Sequence, residues 1–175
     1  MKQLFYISII IIIVSQVFLS CDRINNKGQE LITSTKQEIK EQSEDALNKV
    51  IPRFDAYSPD TKYNKERFKD FIQVELTPDI KNIYCFDDAI GIDADYQFSF
   101  NCSLTTAQQI IKKHQLKPDK ETTDYAFGLQ NDFEWWDKKK IEKLDLYSWQ
   151  QDNQYFKYFW YDTSEQKAYF FDFDL

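Results

Sequence analysis

Four aspartates are grouped around a glycine near the middle of the chain. Asp87, Asp88, Asp93 and Asp95 surround Gly91. Clustered carboxylates can bind calcium, which takes six to eight oxygen ligands. The spacing differs from that of an EF-hand loop, and no acidic residue follows where the bidentate ligand of such a loop would stand. We therefore interpret the segment as a solvated acidic turn, keep the four residues as fallback metal candidates, and expect no metal or cofactor.

Two cysteines, Cys85 and Cys102, fall in segments that are predicted to be paired strands. Directly opposed residues of antiparallel strands have Cα atoms about 4.5–5.5 Å apart, which is within reach of a disulfide. A bond between Cys85 and Cys102 is therefore possible. The alternative is two buried free thiols that act as small apolar side chains. The choice depends on the strand register, which the pattern leaves open.

The single histidine, His114, lies at the edge of an apolar helix face. A general base needs a nucleophile or an acid within hydrogen-bond reach, and no recognised arrangement such as GxSxG is present. One histidine and these cysteine spacings also match no zinc site. We interpret His114 as a packed or rim residue and predict no catalytic residues.

Two adjacent tryptophans, Trp135 and Trp136, could stack on a sugar or anchor a partner protein. Neighbouring residues on a helix or strand point in different directions, so one ring is expected in the core. Trp136 shares an apolar pattern with Ile141 and Leu144 and is the expected core residue. Trp135 is the expected binding residue.

The N-terminal half of the chain has helical patterns. Apolar residues recur on one stripe over residues 29–51, which predicts a long amphipathic helix that Pro52 ends. A second, short helix is expected after Ser58-Pro59. Further helices are predicted from Thr105 to Gln115 and from Asp137, as N-cap, through Leu144.

Strand patterns occupy the middle and the end of the chain. Residues 96–102 alternate between aromatic and polar side chains, and residues 80–86 are their expected partner strand. The last two aromatic segments are expected to form a hairpin with Tyr161 opposite Ala168. That register sets Lys157 opposite Asp172, which is an attractive cross-strand pair. The predicted fold is α+β: an antiparallel sheet of about four to five strands with helices packed on one face.

One face of the terminal hairpin is a second candidate binding surface. It carries Tyr155, Phe159, Tyr161 and Phe170. If nothing covers this face, it is an exposed aromatic strip of the kind that binds partners. Alternatively, the long N-terminal helix or the segment 117–134 covers it.

The composition excludes several functions. The net charge is −7, which argues against nucleic-acid binding, because phosphate needs basic patches. Only three glycines are present, so glycine-rich phosphate loops are excluded. An acidic surface is compatible with a basic protein partner or with simple solubility.

The N-terminus has the pattern of a secretory signal. After Lys2 comes an apolar run of about ten residues, LFYISIIIIIV, and then Phe18-Leu19-Ser20-Cys21. A cysteine directly after a small residue resembles the lipobox of bacterial lipoproteins. The resemblance covers the first 21 residues only, and no globular family is recognised beyond them.

The resemblance implies a lipid anchor. Residues 1–20 would be removed, and Cys21 would carry acyl chains that hold the protein in the inner or outer membrane of the cell envelope, facing the periplasm or the exterior. One alternative is an uncleaved membrane helix, although the run is shorter than the roughly 20 residues that span a bilayer. Another is ordinary cleavage without lipidation. Residues 21–28 are then a tether, and residues 29–175 a single domain.

Three functions are compatible with these observations. The first is a non-enzymatic module that binds another protein, for example an immunity-type protein that neutralises a toxin at the envelope. The second is a carboxylate-dependent hydrolase, and the third is an envelope lipoprotein that binds sugar or cell wall. The expected partners are the membrane, through the lipid, and another protein; nucleic acid is not expected.

Overall fold

The computed structural model describes residues 35–40, 42–43, 53–88 and 95–175. The chain divides into two compact units, residues 1–52 and 53–175. In the first unit, residues 35–40 and 42–43 are helical and exposed. Cys21, the signal peptide 1–20 and the tether 21–28 lie outside the described residues. The same holds for most of the predicted helix, so a domain that begins at residue 29 stays a prediction.

None of the helices in the described ranges is long and apolar enough to span a bilayer.

The second unit is a mostly β form of the α+β class, with short helices beside one six-stranded sheet. The helices are α1 (Lys62–Arg67), a π-helix (Phe68–Ile72), α2 (Leu104–Lys113) and α3 (Lys138–Ile141). The strands are β1 (Lys81–Asp87), β2 (Tyr96–Asn101), β3 (Lys117–Asp119), β4 (Leu146–Gln151), β5 (Tyr155–Asp162) and β6 (Lys167–Asp174). The sheet order is β1-β2-β6-β5-β4-β3, and every pair is antiparallel.

The helices begin at side-chain caps. Thr61, Ser103 and Asp137 each accept a hydrogen bond from a backbone N–H of the first turn of α1, α2 and α3. The prediction for Asp137 is confirmed. The expected starts at Ser58-Pro59 and at Thr105 differ from the structure, because hydroxyls at other positions supply the caps.

The register of the terminal hairpin is confirmed. Tyr161 lies opposite Ala168 and Lys157 opposite Asp172, with an ion pair between the last two. The alternation of β2 is also confirmed: Phe98 and Phe100 are in one core cluster, while Gln97 and Ser99 alternate with them in sequence and face the other way.

Side chains are buried on both faces of the sheet, one core cluster on each face. On the first face, Phe159 and Phe170 pack in one cluster with residues of the π-helix and α2. On the second face, Trp160 and Tyr169 pack in another cluster with Trp136 and the irregular segment before it. This segment has little regular secondary structure, and side-chain hydrogen bonds, chiefly those of Gln97, hold it to the sheet.

A buried asparagine fixes the loop that precedes α1. The Nδ2 group of Asn64 donates to the carbonyl oxygens of Asp55, Ser58 and Ile83, and its Oδ1 accepts from the backbone N–H of Asp55. The carboxylate of Asp60 accepts from the N–H groups of Asn82 and Ile83 in β1. These bonds hold residues 55–60 beside β1.

Candidate functional site

The second unit has an open cleft of about 790 Å³ on the second face of the sheet. It lies between the loop before α1, the strands β1, β2 and β6, and the segment before α3. Half of its lining residues are aromatic or amide and a third are charged: Ala56, Tyr57, Asn82, Tyr84, Ser99, Asn101, Asp132, Phe133, Glu134, Trp135, Glu165 and Lys167. We call it the aromatic cleft.

A small residue between two large ones contributes to the space. In the ladder across β1, β2 and β6, Ser99 lies opposite Tyr84 on one side and Tyr169 on the other. Because its side chain is short, Ser99 leaves an open space between the two neighbouring rings, and this space is part of the cleft. Within the described part of the chain, the buried Ser99 Oγ has no hydrogen-bond partner.

Stacked rings form one wall of the cleft. The Trp135 indole lies nearly parallel to Phe133, with centroids 4.8 Å apart, and nearly parallel to Tyr84 at 5.6 Å. The indole Nε1 donates to the carbonyl oxygen of Ala56 at 2.7 Å. Because these contacts fix the ring plane, the wall is preorganised.

The positions of the two tryptophans are a partial correction of the prediction. Trp136 is in the core as predicted, and its Nε1 donates to Gln130 Oε1. Trp135 is only 8% exposed, so it is not the protruding ring that was expected. Its indole N–H is already bonded to a backbone carbonyl oxygen, so Trp135 contributes to the cleft as part of the wall and not as a hydrogen-bond donor.

The exposed ring of the cleft is Tyr57, which is 88% exposed and packs edge-on against Phe133 at 6.2 Å. Its backbone is fixed, since Asp55 Oδ1 accepts from the N–H groups of Tyr57 and Ser58. A rigid backbone thus presents a ring that is free to contact a ligand at the rim.

Two amides lie at the end of the cleft where β1 is irregular. The register of β1 against β2 shifts between Lys81 and Tyr84, and Asn82 has a left-handed φ of 54°. Asn82 Nδ2 donates to Asn101 Oδ1 at 3.0 Å, while Asn101 Nδ2 reaches the carbonyl oxygens of Glu165 and Gln166. Asn82 is exposed, and no bond to its Oδ1 is seen among the described residues.

The charged groups of the cleft are largely paired. Asp132 forms an ion pair with Lys138 at 2.8 Å, and Glu165 forms one with Lys140. Lys140 also bonds Asp162 at 3.1 Å. Hydrogen bonds from Ser164, together with Lys140, lower the pKa of Asp162 to about 2.

Lys167 is the cation of the cleft floor. Its ammonium donates to the carbonyl oxygen of Trp135 at 3.1 Å and lies 5.0 Å from the Tyr169 ring centre. Burial lowers the pKa of Lys167, because the charged form loses hydration there. Lys167 therefore offers a donor that is already partly stripped of water.

Three aspartates outside the lining of the cleft have shifted pKa values. The aspartates with shifted pKa values, Asp79, Asp119 and Asp162, are all shifted downward, which keeps them ionised rather than available as acids. His114 is elsewhere, in a smaller cleft of about 410 Å³ on the first face. Its Nε2 donates to the carbonyl oxygen of Ile72 at 2.8 Å, and burial lowers its pKa. The interpretation as a rim residue agrees with this placement.

The two cysteines are free and buried, which was the alternative left open by the sequence. Cys85 lies opposite Phe98, while Cys102 follows the end of β2, so the two cysteines do not oppose each other. Burial raises the pKa of each thiol to about 12. The thiol of Cys85 donates to Asn64 Oδ1 at 3.1 Å.

The acidic turn contributes no visible metal site. Asp88 Oδ1 accepts the backbone N–H of Asp95, which closes the hairpin, and Asp87 is the last residue of β1. Asp93 lies outside the described residues. No group of three acidic, histidine or cysteine side chains suited to a metal is found in the residues that the structure describes.

The aromatic face of the hairpin is covered except at Tyr155, which was one of the two alternatives. Phe159 and Phe170 are completely buried under the π-helix and α2, and the partly buried Tyr161 donates its hydroxyl proton to the carbonyl oxygen of Cys102. Tyr155 is exposed. The residues were correctly assigned to one side of the hairpin, but helices cover that side, while segment 117–134 and the tryptophans cover the other.

The chain matches no protein-family model, no curated protein and no solved structure. The function is therefore inferred from the residues of the cleft alone.

Sequence reasoning missed most of the cleft. Asn82, Tyr84, Ser99, Asn101 and Lys167 were not expected to act together. One signal was present: Ser99 and Asn101 continue a run of polar residues on one side of a strand in a chain rich in aromatic residues. The pattern alone does not tell these positions apart: Gln97 is bonded to the covering segment, whereas Ser99 lines the cleft.

Proposed function

We propose that this chain is a lipid-anchored bacterial envelope protein whose acidic domain is a non-catalytic binding module, with the aromatic cleft as its ligand site. The observation that carries the binding function is the preorganised wall of Phe133, Trp135 and Tyr84 beside amides with unused bonding capacity. Pockets of about 300–1,000 Å³ lined by rings and a few polar groups are typical of small-ligand sites. The anchor rests on the lipobox-like Cys21.

A small ligand fits the described surface better than a flat protein interface does. The exposed large apolar residues of the second unit, Tyr57, Leu104, Leu129, Tyr155 and Leu175, lie on different elements. Protein interfaces need a contiguous patch with a buried centre. The cleft instead concentrates rings and polar groups in one concave place.

Hydrolysis is a weaker interpretation of the same cleft. A carboxylate-dependent hydrolase needs one carboxyl group that holds a proton near neutral pH. Glu165 and Asp132 each form an ion pair with a lysine, and both side chains are more than half exposed. The cleft therefore supports binding rather than bond cleavage.

A ligand screen tests the binding function. The mature chain in detergent micelles is heated with oligosaccharides, amino acids, short peptides and nucleosides, and the unfolding temperature is measured. A ligand of the cleft raises this temperature for the wild type. The rise should shrink in Tyr57→Ala, which removes the exposed ring, and persist in Tyr155→Ala, which removes an exposed ring outside the cleft lining.

Two results would contradict the proposal. One is that no compound class raises the unfolding temperature. The other is that both tyrosine variants respond as the wild type does, which would place the ligand outside the cleft.

A further inference from the structure

We infer that the ligand of the aromatic cleft is a neutral carbohydrate, an inference that rests on the proposed binding function and names its ligand class. Three independent properties of the lining support it: its balance of charge, its mixture of donors and acceptors, and the orientation of its rings.

The balance of charge argues against a strongly ionic ligand. The three carboxylates of the lining belong to Asp132, Glu134 and Glu165. Asp132 and Glu165 each pair with a lysine, and the third carboxylate, that of Glu134, has no ion pair among the described residues. Lys167 is the one cation of the lining, and it donates to the carbonyl oxygen of Trp135. A phosphate would need clustered unpaired cations, and a strongly cationic ligand would need clustered unpaired carboxylates beside the rings. The lining offers one unpaired group of each sign and a cluster of neither.

The polar groups present both donors and acceptors at short spacing. Asn82 has an exposed carbonyl oxygen and a second N–H that the bond to Asn101 leaves over. Lys167 supplies donors on the floor, and the carboxylate of Glu134 supplies acceptors on the rim. A sugar hydroxyl donates one hydrogen bond and accepts others, so it can use both kinds of group, whereas a purely accepting or donating ligand cannot.

The rings provide the apolar complement. The face of an aromatic ring carries negative partial charge and attracts polarised C–H groups, which line one side of a pyranose. Tyr57 is exposed at the rim, and Tyr84 and Phe133 are partly buried in the lining. The hydroxyl-bearing edge of the same sugar would then meet the amides of Asn82 and Asn101.

The position of the cleft disfavours an extended peptide. Peptides that bind sheets commonly add a strand at an edge. The cleft lies on the face of β1, β2 and β6, and the outer side of β1 at Ile83 is occupied by bonds to Asp60 and Asn64. A compact ring-shaped ligand suits a face better than an extended chain does.

Calorimetric titration of the mature chain in micelles tests the inference. The probes are hexa-N-acetylchitohexaose, cellohexaose, xylohexaose, maltohexaose, mannohexaose and their monosaccharides. We expect at least one to bind. Asn82→Gly removes the amide and suits the left-handed backbone, so the affinity should fall about fivefold or more without unfolding.

The chain contains a matched control for this substitution. Asn153 is also an exposed asparagine, with a φ of 53°, and it lies in the β4–β5 turn. Asn153→Gly is thus the same chemical change in the same backbone conformation, and we expect less than a twofold change in affinity.

The outcomes separate the inference from the proposed function. If a peptide, amino acid or nucleoside binds in the cleft and none of the sugars does, the carbohydrate class is wrong and the binding function stands. If no probe of any class binds, both are wrong. If a sugar binds equally to Asn82→Gly and to wild type, it does not use the cleft amide and the inference is overturned.

Discussion

The side chain of Gln97 pairs with the backbone of Asn131 in both directions. Gln97 Oε1 accepts from the Asn131 N–H at 2.7 Å, and Gln97 Nε2 donates to the Asn131 carbonyl oxygen at 3.2 Å. Gln97 is completely buried in β2. Because Asn131 belongs to an irregular segment, its backbone N–H and carbonyl oxygen have no partners from regular secondary structure, and the Gln97 side chain supplies both hydrogen bonds. It holds the segment that carries Phe133 and Trp135 against the sheet.

Replacing Gln97 by leucine should therefore destabilise the domain. The substitution leaves the backbone N–H and carbonyl of Asn131 without partners in a poorly hydrated place, and we expect a loss of about 2–3 kcal/mol in the free energy of unfolding. Urea denaturation followed by tryptophan fluorescence measures this loss.

Asn131→Ala is the control for that prediction. The pairing uses only the backbone of Asn131, so alanine at 131 should change stability by less than about 0.5 kcal/mol. Equal losses in the two variants would show that the pairing does not hold the segment.

Acid should weaken the domain in part through Asp162. Its folded pKa of about 2 is below the ordinary value of 3.8, so its stabilising effect is complete above about pH 4 and is lost as the pH falls from 4 to 2. The loss of stability between pH 7 and pH 2 should be about 1–2 kcal/mol smaller in Asp162→Asn than in the wild type.

The exposed Asp145 provides the comparison. Asp145→Asn should follow the wild-type pH profile. An Asp162→Asn profile parallel to that of the wild type would contradict the assigned role of Asp162.

The thiols of Cys85 and Cys102 should be unreactive in the folded protein. With pKa values of about 12, both stay protonated at pH 8, and both side chains are buried. A thiol reagent should label neither within minutes in native buffer and both in denaturant. If the intact mass of the protein were lower than expected by the mass of two hydrogen atoms, Cys85 and Cys102 would instead be joined by a disulfide.

Membrane attachment should depend on Cys21. If Cys21 carries acyl chains, mass spectrometry of the mature protein should find residues 1–20 absent and a lipid mass on Cys21. The change Cys21→Ser should move the protein from the membrane fraction to the soluble fraction. An unchanged distribution, or retention of residues 1–20, would remove the proposed location.

The sequence predicted local pairing better than it predicted coverage. The β5–β6 register followed from residue parity and from the charge match of Lys157 with Asp172, both of which are local. Which side the helices cover could not be derived in that way, since Phe159 and Trp160 are equally suited to burial. Both sides of the hairpin carry large rings, so alternation alone does not identify the covered one.

The open question of the cysteines and the missed cleft have longer-range causes. Predicting the partner of Cys85 required the register after the irregularity at Asn82, where a left-handed residue shifts the pairing. The cleft joins Tyr57, Ser99, Trp135 and Lys167, which are far apart in sequence and meet only through sheet order and the Gln97 bonds. No periodicity within one segment contains that information.

The bonds that Asp60 and Asn64 make to Ile83 have a consequence for solubility. An outer strand with open N–H and carbonyl groups is a template on which another molecule can build aggregates. At Ile83 both groups are already taken by the neighbouring loop, and the opposite outer strand, β3, has three residues including Pro118. Copies crowded side by side would thus meet a blocked position within β1 and a short β3 with a proline, instead of two continuous open strands.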